Sequence, residues 1–205
     1  ANAADITAKA PPDGYTIIML LTAHAINATL MPQLPYDTEK DFAGISLAAV
    51  QPLIVVVNAQ APIHTLKELM AAAKANPGKL NYASAGPGNT SHLAVELFKS
   101  VTSIEMTHVP YKGSGPAITA LMGREVDLIF DSLSTSLPHA KGGKFRALAV
   151  STMKRSHAAP EIPTIHEAGV SNFDVSVWYG IFAPRGTPPA IVQKLHGEVI
   201  KAMTM

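Results

Sequence analysis

The sequence has no cysteine and little charge, since only 15% of its residues are Asp, Glu, Lys or Arg. Without cysteine it can form no disulfide bond and offer no thiolate to a metal ion. Lys plus Arg (16) nearly balances Asp plus Glu (15), so no basic excess indicates nucleic acid or an anionic membrane as a partner. Apolar runs such as residues 17–21 are too short to cross a bilayer.

The remaining composition is that of a globular protein. Apolar residues make up 47% of the 205 residues, which is enough for one large or two small domains with a full core. Neither end reads as a natural boundary. Residues 3–10 are typical of the end of a helix and 190–205 of a helix that continues, and no signal peptide is expected in this chain.

Strand-like and helix-like segments alternate along the chain. Thr65 and Glu68 form a capping box, in which each side chain can accept a hydrogen bond from an amide at the helix start. Continuous apolar strands between helices predict a parallel sheet with helices on both faces. Two long strand stretches, 45–57 and 175–183, are candidates for two crossings between domains. Strands are predicted at 15–21, 45–50, 53–57, 80–84, 104–109, 126–131, 145–151 and 175–183, and helices at 65–76, 90–101, 116–123, 134–140 and 188–205.

Two successive predicted strands each end in a glycine-containing turn that leads into a helix. In a parallel sheet both turns lie at one edge, where helix starts offer unpaired amides and a partial positive charge. A third strand ends there at Asp131, which can contact ligand or cap the next helix. Glycines at such turns also serve simply as tight connections. The candidate ligand-binding residues are Ser84, Gly86, Gly88, Asn89, Thr90, Ser91, Lys112, Gly113, Ser114, Gly115 and Asp131.

Nucleotide, metal and hydrolase sites are not supported by the residues present. The helix start at 89–91 lacks the lysine of a nucleotide phosphate loop, and Ser91 stands where the dinucleotide fingerprint needs a glycine. The eight histidines form no pair at helical ligand spacing, so no metal or cofactor is expected. His92 is expected to be a partly buried residue bonded to backbone. Trp178, the only tryptophan, is either a core residue or the wall of a cleft.

Several segments together resemble the substrate-binding receptors of tripartite tricarboxylate transporters, the Bug-type family. These segments are PPDGYTIIM, LMPQLPYDTEKDF, YASAGPGNTSHLAVELF, HVPYKGSGPAITALMGREVDLIFDS, FRALAVS and PEIPTIHEAGV, and they follow one another along nearly the whole chain.

The resemblance implies an α/β fold of the periplasmic binding protein type (type II), with two doubly wound lobes and two interdomain crossings. The lobes would comprise residues 1–52 with 178–205, which is incomplete, and residues 53–177. It further implies a periplasmic, monomeric, non-enzymatic receptor without cofactor. Its cleft would capture a di- or tricarboxylate, acidic amino acid or aromatic acid and deliver it to membrane permease subunits. Thr22, His24 and Asn27 join the candidate ligand residues on this basis.

Two departures from the family pattern affect these expectations. The family's first strand and Pro-Gly-Gly loop would precede Ala1, and the final strand and helices also have no counterpart. Asn89 stands where the family usually has Ser or Thr, although an amide can both donate and accept hydrogen bonds. Two other functions stay open from the sequence, a sensor subunit for a membrane signalling system and a small-molecule enzyme on an α/β fold.

Overall fold

The fold is described by a computed structural model for residues 2–204. Helices and strands alternate over most of its length. The helices are α1 (Asn2–Ala8), α2 (Thr22–Leu30), α3 (Leu66–Ala75), α4 (Thr90–Thr102), α5 (Ser114–Met122), α6 (Leu133–Lys141) and α7 (Pro189–Thr204), and the strands are β1 (Ile18–Leu21), β2 (Phe42–Asn58), β3 (Asn81–Ser84), β4 (Thr107–Pro110), β5 (Leu128–Ser132), β6 (Phe145–Val150) and β7 (Ser176–Pro184). Among these residues, none of the helices has both the length and the apolar character needed to span a membrane.

The chain divides into two compact units. Unit 1 comprises Ala1–Val50 and Trp178–Met205, and unit 2 comprises Gln51–Val177. The first boundary lies inside β2 and the second near the start of β7. The interpretation of these units as the two lobes of a receptor stays a prediction.

Unit 2 is built on a five-stranded sheet in the order β6, β2, β5, β3, β4. β3 runs parallel to both β4 and β5. β2, in contrast, is antiparallel to both of its neighbours in this unit, pairing Val55 with Phe130 of β5 and Ala149 of β6. The prediction of an all-parallel sheet is therefore wrong for β2, and the sheet is mixed. The fully buried run Leu53 to Val57 explains the error, because burial on both faces makes a strand apolar whatever its direction.

Helices cover both faces of the unit 2 sheet, as the sequence predicts. On one face Ile54 and Ile129 pack in a cluster with Ile118 and Leu121 of α5 and with Leu133 at the start of α6. On the other face Phe98 of α4 packs against Phe130, with ring centroids 5.4 Å apart. Neighbouring residues of β5 thus point to opposite layers, as the pleat of a strand requires.

Unit 1 contains β1 paired antiparallel with β7, and β7 lies between β1 and β2 in the strand order. Its small core brings together Leu20, Tyr36, Phe42 and Phe182. Trp178 is half-buried and lines an apolar cavity of about 320 Å³ in this unit. It is therefore a cavity-lining residue and not a fully buried core residue.

Two local predictions are corrected by the structure. The predicted strands 45–50 and 53–57 are one continuous strand, β2, because Pro52 does not interrupt it. In the capping box, the Thr65 hydroxyl accepts from the Glu68 amide (3.1 Å), but the Glu68 carboxylate accepts from the His64 amide (2.7 Å) and not from that of Thr65.

Ser151 joins the two ends of unit 2 and gives a first prediction. Its hydroxyl accepts from the Leu53 amide (2.8 Å) and donates to the Val175 carbonyl (2.5 Å), and Ser151 is fully buried. Ser151→Ala leaves both backbone groups without this partner, so we expect the free energy of unfolding to fall by about 1–3 kcal/mol in a denaturant titration. The same change at exposed Ser100 in α4 is the control, with an expected effect of about 0.5 kcal/mol or less. Equal effects of the two changes would contradict the prediction.

Candidate functional site

The candidate site lies in unit 2, at the edge where β3, β4 and β5 end. Because β3 is parallel to both other strands, the loops that follow the three strands emerge at the same edge. The first two loops are hydrogen-bonded together, since the amide of Tyr111 donates to the carbonyl of Ser84 (3.0 Å) and that of Gly113 to the carbonyl of Ala85 (3.1 Å). A side chain at Gly86, where φ is +129°, would approach the Tyr111 carbonyl. The two loops thus form one surface.

The loop from β3 to α4 satisfies most of its own amides. Gly86 donates to the hydroxyl of Ser84 (3.1 Å), Gly88 to Nδ1 of His92 (3.2 Å), and Ser91 to the side chain of Asn89 (3.2 Å). The Ala85 amide donates to the Ser91 hydroxyl (3.0 Å), and the Asn89 amide to the Gly86 carbonyl (3.2 Å). The loop is therefore more closed to an anion than its glycines alone predict. Of its amides, that of Thr90 has no partner within residues 2–204.

The start of α5, unlike that of α4, has no side-chain cap. Gly113 occupies the N-cap position with φ of +109°, and no side chain caps the helix. The amides of Ser114, Gly115 and Ala117 have no partner in the described part of the chain, and residue 116 is a proline without an amide hydrogen. Nothing lies within 4 Å of a Cβ built at Gly113 or Gly115. This helix end therefore offers unpaired donors and space for an anion.

Lys112 is the cation beside this open helix end. Its side chain is exposed and has no ion-pair partner in the region that the structure describes. A lysine in this position can pair with an anionic group that extends from the helix start.

Asp131, the third element of the predicted site, is turned inward. Its side chain is 1% exposed, and its carboxylate accepts hydrogen bonds from Ser114 (2.7 Å), Thr135 (2.5 Å) and Ser136 (2.7 Å). Ser114 begins α5, whereas Thr135 and Ser136 lie in the first turn of α6. Asp131 therefore connects two helix starts to the end of β5, and we interpret it as a residue that positions the site without touching the ligand.

His92 and His108 support the first loop from the side of the sheet. His92 is half-buried and bonded to backbone, as predicted. Nε2 of His108 lies 2.6 Å from the Ser84 hydroxyl, which is the group that accepts from the Gly86 amide. Burial, and then the nearby charge of His92, lower the pKa of His108. This Ser84–His108 contact could not be predicted from the sequence, because only the alignment of β3 with β4 brings the two residues together.

The three candidate residues of unit 1 lie on α2. The Thr22 hydroxyl accepts from the Trp178 amide (3.0 Å), and Asn27 is half-buried. His24 is buried among aromatic rings, with Phe42 edge-on at 5.0 Å and Tyr36 stacked at 5.6 Å, and burial lowers its pKa. His24 is thus a core residue of unit 1, although Nε2 has no partner within residues 2–204.

In the same described range, no cluster of three or more His, Asp or Glu side chains could hold a metal ion.

The buried carboxylate of Asp131 leads to a second prediction. Asp131→Ala removes the acceptor of three hydroxyls and leaves a void, so we expect unit 2 to lose about 3 kcal/mol of unfolding free energy in a denaturant titration. Asp131→Asn keeps an acceptor oxygen and should lose less. Asp174 is exposed without such bonds, and Asp174→Ala serves as the control with a loss of about 0.5 kcal/mol or less. An Asp131→Ala protein as stable as this control would show that the three bonds do not hold the helix starts.

Comparison with known proteins places the chain among solute receptors. It is 40% identical to a protein encoded in the tcbD-tcbE intergenic region of Pseudomonas sp. strain P51. The match covers 97% of this chain and 60% of that protein. It also superposes on two solved structures from Rhodopseudomonas palustris. One, Rpa4515 with adipate, has 39% identity and a TM-score of 0.92, with 97% of this chain and 67% of that one covered. The other, MatC with bound malate, has 35% identity and a TM-score of 0.88, covering 98% and 69%.

The family model that matches is that of the tripartite tricarboxylate transporter family receptor, over residues 2–205. The chain spans about 60% of the length of the first curated relatives that it matches. The matched family and structures are binding receptors and not enzymes, and they confirm the periplasmic binding protein-like α/β fold. The chain belongs to the tripartite tricarboxylate transporter receptor family.

Proposed function

We propose that the protein is a periplasmic receptor that captures a small organic carboxylate for a membrane transporter. The observation that carries this proposal is the uncapped start of α5 in a chain of this receptor family, where three amides have no partner among residues 2–204 and the glycines at 113 and 115 adjoin open space. Unpaired amides at a helix start bind a carboxylate through partial charges and directed hydrogen bonds. The similar structures with adipate and malate support a carboxylate as ligand.

A carboxylate fits this helix end better than a phosphate. The amides of Ser114, Gly115 and Ala117 carry only partial positive charge, and Lys112 is the one full cation that adjoins them in sequence. Buried Asp131 accepts from the hydroxyl of Ser114, so a full negative charge lies behind the same helix start. A dianionic phosphate would meet more repulsion there than a monoanionic carboxylate.

A dicarboxylic acid uses the arrangement most completely. One carboxylate binds the amides of α5, and the second pairs with the ammonium group of Lys112. Adipate and malate, found with similar receptors, both carry two carboxylates. The predicted contributions of Thr22 and Asn27, and the capture of the ligand in an interdomain cleft, rest on the family resemblance. Delivery to permease subunits, a monomeric state and the absence of nucleic acid from its partners belong to the same proposal.

A ligand screen tests this function directly. The complete protein is melted with mono-, di- and tricarboxylates, aromatic acids, acidic amino acids and phosphate esters. A ligand at about 100 times its dissociation constant adds about 2.7 kcal/mol, which shifts the midpoint by several degrees. We expect dicarboxylates to give the largest shift. A shift produced only by phosphate esters would overturn the carboxylate assignment.

A charge placed at Gly115 tests where the carboxylate binds. Gly115→Glu puts a negative charge in the first turn of α5, which favours the helix but repels an anion at its start. We expect affinity for adipate, measured by calorimetry, to fall about tenfold or more relative to Gly115→Gln, which has the same size without the charge. Both variants should unfold at or above the midpoint of the unmodified protein. Equal affinities of the two variants would place the ligand elsewhere.

A further inference from the structure

Three aromatic rings are stacked behind the loop from β3 to α4. The ring of His108 lies beside both Tyr82 and His92, with centroid distances of 4.8 Å and 4.2 Å and interplanar angles of 13° and 20°, and the rings of Tyr82 and His92 are themselves 6.4 Å apart at 14°. They come from three elements, β3, β4 and α4, so the stack exists only in the folded unit.

One histidine of the stack accepts from a glycine amide of the loop directly, and the other contacts the serine hydroxyl that accepts from a second glycine amide. Nδ1 of His92 accepts directly from the Gly88 amide (3.2 Å), which requires that this nitrogen carry no proton. Nε2 of His108 contacts the Ser84 hydroxyl (2.6 Å), and this hydroxyl accepts from the Gly86 amide (3.1 Å). The backbone of the loop is thus fixed at two points by imidazole rings.

A second proton on His92, or on both rings, opposes this arrangement. On His92 it would turn the acceptor of the Gly88 amide into a donor that faces another donor. On both rings it would place two positive charges on rings whose centroids are 4.2 Å apart. The other charged or titratable groups on the stack are Glu96 and Lys99 on α4, which pair at 2.9 Å, and Tyr82, whose hydroxyl donates to Glu96 (2.5 Å).

We infer that His92 and His108 are positioning residues for the ligand-binding edge of unit 2, and that they fix the loop fully only while Nδ1 of His92 carries no proton and the two rings are not both charged. This inference rests on the proposed carboxylate receptor function and adds a pH dependence to it. Acidification releases the loop, lowers the population of the binding-competent conformation and weakens ligand binding in proportion.

The direction of the pH effect agrees with the environment of His108. Burial, followed by the charge of His92, lowers its pKa below the ordinary value of 6.5. The unfolded chain therefore binds a proton at His108 more readily than the folded one, and the folded loop loses stability as pH falls below 6.5 toward the lowered pKa. Above 6.5 both states are neutral at this residue and the loop is fully stabilised.

The test compares variants that keep the hydrogen bonds but cannot be protonated. In His92→Asn the amide oxygen takes the place of Nδ1, and in His108→Gln the side-chain amide takes the place of Nε2. In calorimetric titrations of the complete protein with adipate, we expect the dissociation constant of the unmodified protein to rise about tenfold between roughly pH 7.5 and pH 5.5. The dissociation constant of the double variant should change about twofold or less over the same pH range. Protonation of adipate itself affects the unmodified protein and the variants equally, so it does not account for a difference between them.

His64→Asn is the matched control, since His64 is exposed in unit 2 and its ring has no hydrogen-bond partner among residues 2–204. It should keep the pH dependence of the unmodified protein. His92→Leu, which removes the acceptor, should weaken binding already at the higher pH. A double variant with the same pH profile as the unmodified protein would overturn the inference.

An NMR titration decides the inference even if adipate does not bind. The Gly86 and Gly88 amides should shift and lose hydrogen-exchange protection on acidification in the unmodified protein, and stay unchanged in the double variant. If both amides are equally insensitive to pH in the two proteins, the histidines do not control the loop. A failure of every carboxylate in the ligand screen, in contrast, would count against the proposed function alone.

Discussion

The three hydroxyl bonds to the buried carboxylate of Asp131 are the interaction on which the site depends. Asp131 lies near the end of β5, the middle strand of unit 2, and its partners Ser114, Thr135 and Ser136 come from the first turns of α5 and α6. A buried carboxylate is costly unless several donors surround it, so these contacts fix both helix starts relative to the strand. The position of the open helix end follows from this requirement.

The residues at the N-cap position explain why two similar turns give different helix ends. At α5 this residue is Gly113, which has no side chain to offer, and Ser114 directs its hydroxyl to Asp131, so the amides at that helix start have no partners. At α4, Asn89 caps the Ser91 amide, while serine and histidine side chains take the amides of the loop before it. The turn before α4 is thus held by its own hydrogen bonds, and the turn before α5 leaves amide donors unpaired. In the sequence both have the same pattern of strand, glycine turn and helix.

Local and family-specific features could be predicted from the sequence, and pairings between distant segments could not. Glycine turns, helix starts and the two-faced burial of strands such as 53–57 depend on neighbouring residues, so their positions agree closely with the structure. The antiparallel direction of β2 and the contact of Ser84 with His108 depend on strand order, which apolar runs do not encode. The side chain of Asp131 points inward because hydroxyls from two helices bind it, and one of these, that of Ser114, is 17 positions away in the sequence. Residue type alone allowed both a ligand contact and a cap.

Asp131 also contributes to the choice of ligand through its charge. The amides of α5 attract an anion, but the carboxylate that holds Ser114 lies just behind them and repels one. The three hydroxyls spread this charge without removing it. On the proposed function, this balance would favour a ligand whose charge is spread over a planar carboxylate and whose other charged group lies toward Lys112. Partial charges at the helix start with one full cation beside it would then select for the spacing of charges within the acid, more than for total charge.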